Sequence, residues 1–288
     1  MFNKIITHSG QFHNDEVLAT SILFRLNPNA EVVRTRDAAL IAEGKGDDQC
    51  VVVDVGCEYD PEHLMFDHHQ TGCEETFQYI GGKSRLASAG MIWQHFGKKI
   101  SGVDTIMWVE VYKNLIEEID RQDNGEDAVG RGPIFQISGF NPSWESTSNG
   151  DTEFQNAVVI AGEFLANAIS RSRSVVKAEM LHRETTMVNE VNDNGLFIMD
   201  QFYPWTQFLL KEEDHPYRFV VYPRQDGDWA IQSIPVSTTG FENKGPLPLE
   251  WVDGDIDGMI FCHRARFIAS FNTKERAIEM ARYAVSQL

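Results

Sequence analysis

The segment Cys50–Val55 reads Cys-Val-Val-Val-Asp-Val, a β-branched run broken only by one carboxylate near its end. A strand that is apolar at every position must be covered on both faces, which describes a central parallel strand and not an antiparallel strand wet on one side. Strand-like and helix-like stretches alternate around it. Phe2–Thr7 reads as a buried strand, and Asn14–Leu26 carries Val17, Leu18, Ile22 and Leu26 at helical spacing. Glu31–Arg36 reads as a second strand, Ala38–Glu43 as a short helix and Leu64–Phe66 as a short strand. Ser84–Phe96 reads as a helix with Ser84 as N-cap and Gly97 as its stop, and Asp104–Gln122 as another, ended by Asn124-Gly125. Thr152–Val191 is long and helical. Such alternation predicts an α/β fold, a parallel sheet flanked by helices.

The chain's 288 residues allow two domains. Asn192-Asp193-Asn194-Gly195 is the expected boundary, giving residues 1–191 and a smaller unit of residues 195–288. Beyond it the texture changes to strands at Leu196–Met199, Tyr217–Tyr222 and Trp229–Pro235, the last two joined as a hairpin by Asp226-Gly227. A strand region at Met259–Phe271 and a helix Lys274–Leu288, capped by Asn272 or Thr273, complete a mixed-sheet α/β unit, expected to close over the cleft of the first.

Ligands of parallel sheets bind at the carboxyl ends of strands, and there the chain is rich in metal-ligating side chains. His8, His13 and Asp15 follow the first strand, Asp54 follows Cys50–Val53, Asp67-His68-His69 follows Leu64–Phe66, and Asp120 and Asp123 end a helix. Imidazoles and carboxylates suit Mn²⁺, Zn²⁺, iron or Mg²⁺, and gathered aspartates repel one another unless a cation joins them. His8, His13, Asp15, Asp54, His68 and Asp120 form the preferred set, with Asp123 as the alternative direct ligand at the helix end. That many groups suits two divalent ions, which promote in-line displacement at phosphorus. The imidazole content favours Mn²⁺, with Mg²⁺ as the alternative.

These stretches resemble the DHH phosphoesterase superfamily and, more closely, the melanocyte-proliferating-gene exonuclease family. The similarity lies in Thr7–Ala19, Val52–Tyr59, Asp60–Gln70, Arg85–Gly97 and Glu117–Gly125, with an echo at Phe261–Ser270. The resemblance implies that His68 is a ligand, that Asp67 orients it from behind, and that His69 faces the phosphate. It also marks Arg85, His263 and Arg266 as substrate contacts. The superfamily's glycine-rich substrate loop is replaced by His263-Arg264-Ala265-Arg266-Phe267-Ile268-Ala269-Ser270. The implied activity is 3′–5′ hydrolysis of RNA or short oligonucleotides. Small phosphates such as pyrophosphate, nucleotides or cyclic dinucleotides are the alternative substrates, and a metal-binding regulatory protein is the alternative of another class.

Other motifs fail. Gly82-Lys83-Ser84 would need glycine where Phe77 stands to make a P-loop, and Asp253–Gly258 lacks the closing glutamate of an EF-hand loop. The four cysteines form no C-x-x-C pair and read as reduced thiols. A strand-like run from the first residues and the absence of any long apolar stretch lead to the expectation of a cytoplasmic protein without membrane contact. A homodimer is also compatible with the sequence. The net charge of −18 argues against coating long polyanions. Because residues 195–288 hold 9 Lys+Arg against 13 Asp+Glu, most of that charge belongs to the metal-binding part. A long-duplex DNA column should therefore retain the protein weakly at moderate salt; tight, salt-sensitive retention would contradict this charge argument.

Overall fold

The computed structural model describes residues 2–288 except 80–83, 103, 127–132, 190–194, 213–214, 238–239 and 241. The chain divides into two compact units, residues 1–173 and 174–288. In the first, β1 (Lys4–Thr7), β2 (Glu31–Arg34), β3 (Cys50–Val53), β4 (Tyr59–Asp60) and β5 (Met65–Phe66) form one sheet in the order β2-β1-β3-β5-β4. All neighbours are parallel except β4 against β5. β3 is buried at every residue, as its apolar run requires. The chain leaves β1 for β2 on one side and later enters β3 on the other. The crevice between the ends of β1 and β3 is thus a topological switch point, where α/β sheets bind ligands. His8 and Asp54 emerge there.

The helices of this unit are α1 (Asn14–Phe24), α2 (Ala38–Lys45), α3 (Ser88–Ile100), α4 (Thr105–Val111) and α5 (Glu117–Asp123). Between α4 and α5 lies a π-helical segment, Tyr112–Ile116, which makes Thr105–Asp123 continuous. Such insertions change the rotational phase of the residues that follow and recur at functional sites. A 3₁₀ segment, Pro133–Phe140, leads towards α6 (Asp151–Asn189).

Helix α3 departs from the sequence expectation at both ends. It begins at Ser88, and neither Ser84 nor the N-cap residue Ala87 caps it with a side chain. Its free amides are taken by distant carboxylates instead. Asp15 accepts from the backbone N–H groups of Ser88 (2.9 Å) and Ala89 (2.7 Å), and Asp120 from those of Ala87 (3.2 Å) and Gly90 (2.9 Å). Helix N-termini offer orphan donors and a positive dipole end, so two buried carboxylates are well placed there. At the other end α3 runs through Gly97, where the absence of a side chain lets Trp93 and Trp108 approach.

The second unit holds β6 (Leu196–Ile198), α7 (Thr206–Leu209), β7 (Phe219–Pro223), β8 (Trp229–Ser233), β9 (Met259–Cys262), β10 (Ile268–Phe271) and α8 (Lys274–Ser286). Its sheet order is β6-β7-β8-β10-β9, with β6 parallel to β7 and the other pairs antiparallel, the mixed sheet expected from sequence. The Asp226-Gly227 turn joins β7 to β8, with Gly227 at φ 89°. Thr273 caps α8, accepting from the Arg276 N–H at 3.2 Å. The division between units falls inside α6, whose Ala178 and Leu181 pack into an apolar cluster with Phe197, Tyr217 and Val220. Asn192–Asn194 of the expected boundary lie outside the described residues, as does Lys83. Among the described residues no helix is long and apolar enough to cross a membrane.

The approach of Asp120 to α3 depends on Gly90: a Cβ there would lie 2.1 Å from Asp120 Oδ2. Gly90→Ala should cost about 1–3 kcal/mol, the usual range for overpacking, read as a lower denaturant midpoint. An unchanged midpoint would show that the carboxylate does not hold this position.

Candidate metal centre

The loop from β1 to α1 carries His8 and His13 and is clamped at successive carbonyls. Arg34 donates to Gly10 O (2.6 Å), Arg36 to Ser9 O (3.0 Å), and the Asn141 amide to Phe12 O (2.6 Å) while its oxygen accepts from Phe12 N–H (2.8 Å). Gly10 has φ 95°, a conformation that glycine adopts without cost. His13 then stands at the N-cap of α1, and its backbone N–H donates to both Glu16 oxygens at 2.9 and 3.0 Å.

Around these residues the chain gathers three overlapping groups able to hold a cation: His8, His13, Glu16 and Asp54; Asp54, His68 and His69; and Asp15, His68 and Asp123. Asp54 sits at the centre of the first two. Its Oδ2 is 3.4 Å from His8 Nε2, its Oδ1 is 3.5 Å from His68 Nε2 and 3.5 Å from His69 Nδ1, and Ser88 Oγ donates to Oδ1 at 3.2 Å. It adopts φ 56°, a left-handed conformation that aspartate tolerates better than most residues. His68 Nε2 lies 3.0 Å from Asp123 Oδ2, and His68 Nδ1 faces Asn124 Oδ1 at 3.3 Å. That second contact fixes the proton on Nδ1 and leaves Nε2 for a metal.

Two observations test whether these residues suit a divalent ion. Asp54 Oδ2 and His68 Nε2 are buried without an aligned hydrogen bond, a costly state unless another partner is bound. The carboxylates also crowd one another: burial and then the charges of Asp123 and Asp54 drive the Asp15 carboxyl well above its ordinary range. Burial likewise raises Glu16. A cation relieves both conditions, so the donor set fits a metal.

The imidazoles respond in the opposite sense. Burial opposes protonation of His68, but Asp123 and Asp54 outweigh it and push its pKa up to about 11. For His8, too, burial is overcome by Asp54 and Glu16, and its pKa rises. Arg36 Nη2 lies 3.1 Å from His8 Nδ1, on the far side of the ring from Asp54 and Glu16. Burial of Asp54 is outweighed by His68 and His8, which hold its carboxyl far below the usual range.

The structure thus brings together His8, His13, Asp15, Asp54, His68, His69 and Asp123. Asp120, preferred over Asp123 from the sequence, is placed elsewhere. Its Oδ1 accepts from the α3 amides and its Oδ2 from the Tyr112 hydroxyl at 3.0 Å, and it belongs to none of the three groups. Asp67 stands behind His69 and not behind His68 as expected, because Asn124 takes the His68 Nδ1 side; it accepts from His69 Nδ1 (2.7 Å), from the His69 backbone N–H (3.0 Å) and from Cys57 N–H (2.6 Å). The Asp67 bond raises the His69 pKa, and the imidazole remains half exposed. Arg85 turns its guanidinium towards Glu126, with Nε 3.8 Å from Oε1. His263 and Arg266 lie in the β9–β10 turn of the second unit, where His263 Nδ1 accepts from Ala265 N–H at 3.1 Å and Arg266 has φ 57°.

Glu16, Tyr112 and Asn124 escaped the sequence reading. Glu16 had a signal, the three-residue spacing from His13 that marks a capping box. Tyr112 and Asn124 had none, since their roles depend on helix phase.

A model of the Uncharacterised protein family UPF0160, labelled MYG1 exonuclease, matches residues 4–285. The chain belongs to the MYG1 exonuclease family. MYG1 exonuclease from Mus musculus is 35% identical over 99% of this chain and 85% of its own length. The MYG1 protein C694.04c of Schizosaccharomyces pombe is 33% identical over 98% and 97% respectively. Together with the cluster, this family membership makes the protein a metal-dependent hydrolase of the phosphoesterase kind. Among solved structures, a pGpG-specific phosphodiesterase from Vibrio cholerae aligns over 100% of this chain and 98% of its own, at 15% identity and a TM-score of 0.34.

Metal binding to this centre must displace the proton held on His68. Divalent-ion affinity should therefore rise as pH increases from 6.5 to 9, with proton release detectable by calorimetry in buffers of different ionisation enthalpy. The same raised pKa means that the His68 ion pairs stabilise the metal-free fold fully below about 6.5 and progressively less as pH climbs towards about 11. An affinity independent of pH would contradict the proposed competition.

Proposed function

We propose that the protein is an exonuclease acting on RNA or short oligonucleotides from the 3′ end, with Mn²⁺ as its ion. The observation that carries the phosphoester chemistry is the shared position of Asp54 and His68 between overlapping ligand groups. His8, His13 and Asp54 would hold one ion, and Asp15, His68 and Asp123 a second. Bound divalent ions would supply charge neutralisation and Lewis acidity at the scissile phosphate. The mixed imidazole and carboxylate donor set supports a borderline ion over Mg²⁺.

The residues have separate tasks. Asp67 accepts from His69 Nδ1 and favours the protonated ring, whose other nitrogen would then donate to a phosphoryl or leaving oxygen where negative charge develops. The clamped carbonyls of Ser9, Gly10 and Phe12 keep His8 and His13 in place before substrate arrives, which lowers the reorganisation needed during reaction. Asp15 and Asp120 tie α1 and α5 to the same helix end, so ligands from distant parts of the chain keep one geometry.

A base-bearing substrate is supported by Trp144, which is 90% exposed. Its loop is tethered through Asn141 to Phe12, the neighbour of His13, and ordered by Ser146 N–H to Ser143 O (2.9 Å) and Gly150 N–H to Ser148 Oγ (3.1 Å). An ordered loop that is tied to the His13-bearing loop and presents a bare indole suits base stacking, worth about 1–3 kcal/mol per base.

A panel of labelled RNA 24-mer, dinucleotide, cyclic dinucleotide and pyrophosphate, each with Mn²⁺, separates the substrates. The 24-mer should shorten from its 3′ end, and Asp54→Ala should abolish turnover. Cleavage of pyrophosphate alone would sink the exonuclease reading, and an active Asp54→Ala would sink the metal-centre mechanism. Trp144→Ala should raise the oligonucleotide KM roughly ten-fold and leave an abasic oligomer of the same length unaffected.

A further inference from the structure

Arg36 belongs to no motif, yet its guanidinium lies against the candidate metal centre. It follows β2, the neighbour of β1, so the β2–α2 connection ends on the same rim of the sheet as His8. The backbone continues the pairing one residue beyond the strand, with Thr35 N–H donating to Thr7 O at 2.8 Å, and then turns into α2 at its cap, Asp37. Arg36 is thereby set beside the loop that carries His8.

Its contacts differ from those of Arg34 two residues earlier. The Arg34 side chain is 2% exposed, pairs with Asp151 at 3.1 Å and packs over Phe154 with 4.7 Å between guanidinium carbon and ring centroid. Those are the contacts of a structural arginine. Arg36 is exposed, donates from Nε to Ser9 O and approaches His8 Nδ1 with Nη2, and forms no ion pair with any carboxylate among the described residues. Its Nη1 makes no hydrogen bond to a described residue. In a chain with 43 Asp+Glu against 25 Lys+Arg, an exposed arginine beside several buried carboxylates and without an acidic partner is out of keeping with the charge balance. Arg85, Arg121, Arg183, Arg224 and Arg276 each have an acidic partner.

The contact with His8 also conflicts with that residue's role as a ligand. A guanidinium only donates, so His8 Nδ1 accepts in this arrangement and the ring proton sits on Nε2. A metal on Nε2 requires that proton on Nδ1, where Ser9 O, 3.3 Å away, is the available acceptor. The Arg36–His8 contact cannot persist in that state, because two donors would face each other. The Nη2 donor is then released at the rim while Nε remains anchored to Ser9 O.

We propose that Arg36 is a substrate-binding residue that receives a phosphoryl oxygen of the substrate at the His8 side of the centre. The proposal rests on the phosphoesterase reading and adds to it the group that meets the phosphate's own negative charge. Arginine suits this because its planar fork can give two parallel, charge-assisted hydrogen bonds to one phosphate.

The test uses the full-length protein and the variants Arg36→Gln and Arg36→Lys. Calorimetry measures Mn²⁺ affinity first, then inorganic phosphate binding to the Mn²⁺-loaded protein, alongside KM and kcat on the oligonucleotide. The expected result is Mn²⁺ affinity within about three-fold of wild type for both variants, with phosphate affinity lowered roughly ten-fold or more in Arg36→Gln. Arg36→Lys should recover part of that loss, since it restores the charge but not the fork. Phosphate affinity unchanged in Arg36→Gln, with wild type binding phosphate normally, would overturn the assignment and leave the phosphoesterase reading standing. A fall in Mn²⁺ affinity that accounts for the whole loss would assign Arg36 to positioning His8 instead, and so would also overturn it. Failure of the loaded wild type to bind phosphate would overturn the underlying reading together with this one.

Discussion

The site depends on the amino end of helix α3. Four consecutive backbone amides, from Ala87 to Gly90, are accepted by the carboxylates of Asp15 and Asp120. A cap of this kind is worth about 1 kcal/mol when a single side chain provides it, but here it also has a positional effect. Asp15 starts α1, Asp120 lies in α5, and Ser88 of α3 reaches Asp54 at the end of β3. One helix end thus fixes the relative places of three elements that are remote in sequence. Both carboxylates are fully buried, and the helix dipole helps to offset the cost of taking them from water.

Around that anchor, like charges are packed more closely than a metal-free protein would tolerate at no cost. Asp15, Asp54 and Asp123 lie among His8, His13 and His68, and this crowding raises the pKa of Asp15, His8 and His68. Protons and metal ions compete for the same places, which links ion affinity to pH and ion binding to stability. Residues behind the ligands set which nitrogen is free: Asn124 directs His68, Asp67 directs His69, and Ser9 O and Arg36 meet at His8. The outer residues therefore decide as much of the chemistry as the ligands do.

Much of the fold was legible because the underlying signals are local. The Cys50–Val53 run identified a central strand, alternation identified a parallel sheet, and Asp226-Gly227 identified the β7–β8 hairpin. The ligand-rich strand ends were equally plain, since His8, Asp54 and His68 each follow a recognisable apolar run. Errors arose wherever a distant group overrode a local signal. Ser84 resembled an N-cap, but carboxylates from α1 and α5 supply the cap four residues later, and Gly97 resembled a stop but makes room for two indoles. Asp120 was preferred as the ligand of its helix end, and the structure places its oxygens on the α3 amides and the Tyr112 hydroxyl.

By itself the sequence determined the class of fold, the residue types of the centre and the family, because β-branched runs, turn residues and a Thr7–Ala19 or Asp60–Gln70 motif are properties of contiguous residues. Only the tertiary structure decided which carboxylate at the end of α5 joins the centre, which nitrogen of each imidazole is free, and which arginine faces it. Those outcomes depend on the rotation of one helix and on hydrogen bonds between residues far apart in the chain, and no local pattern encodes them.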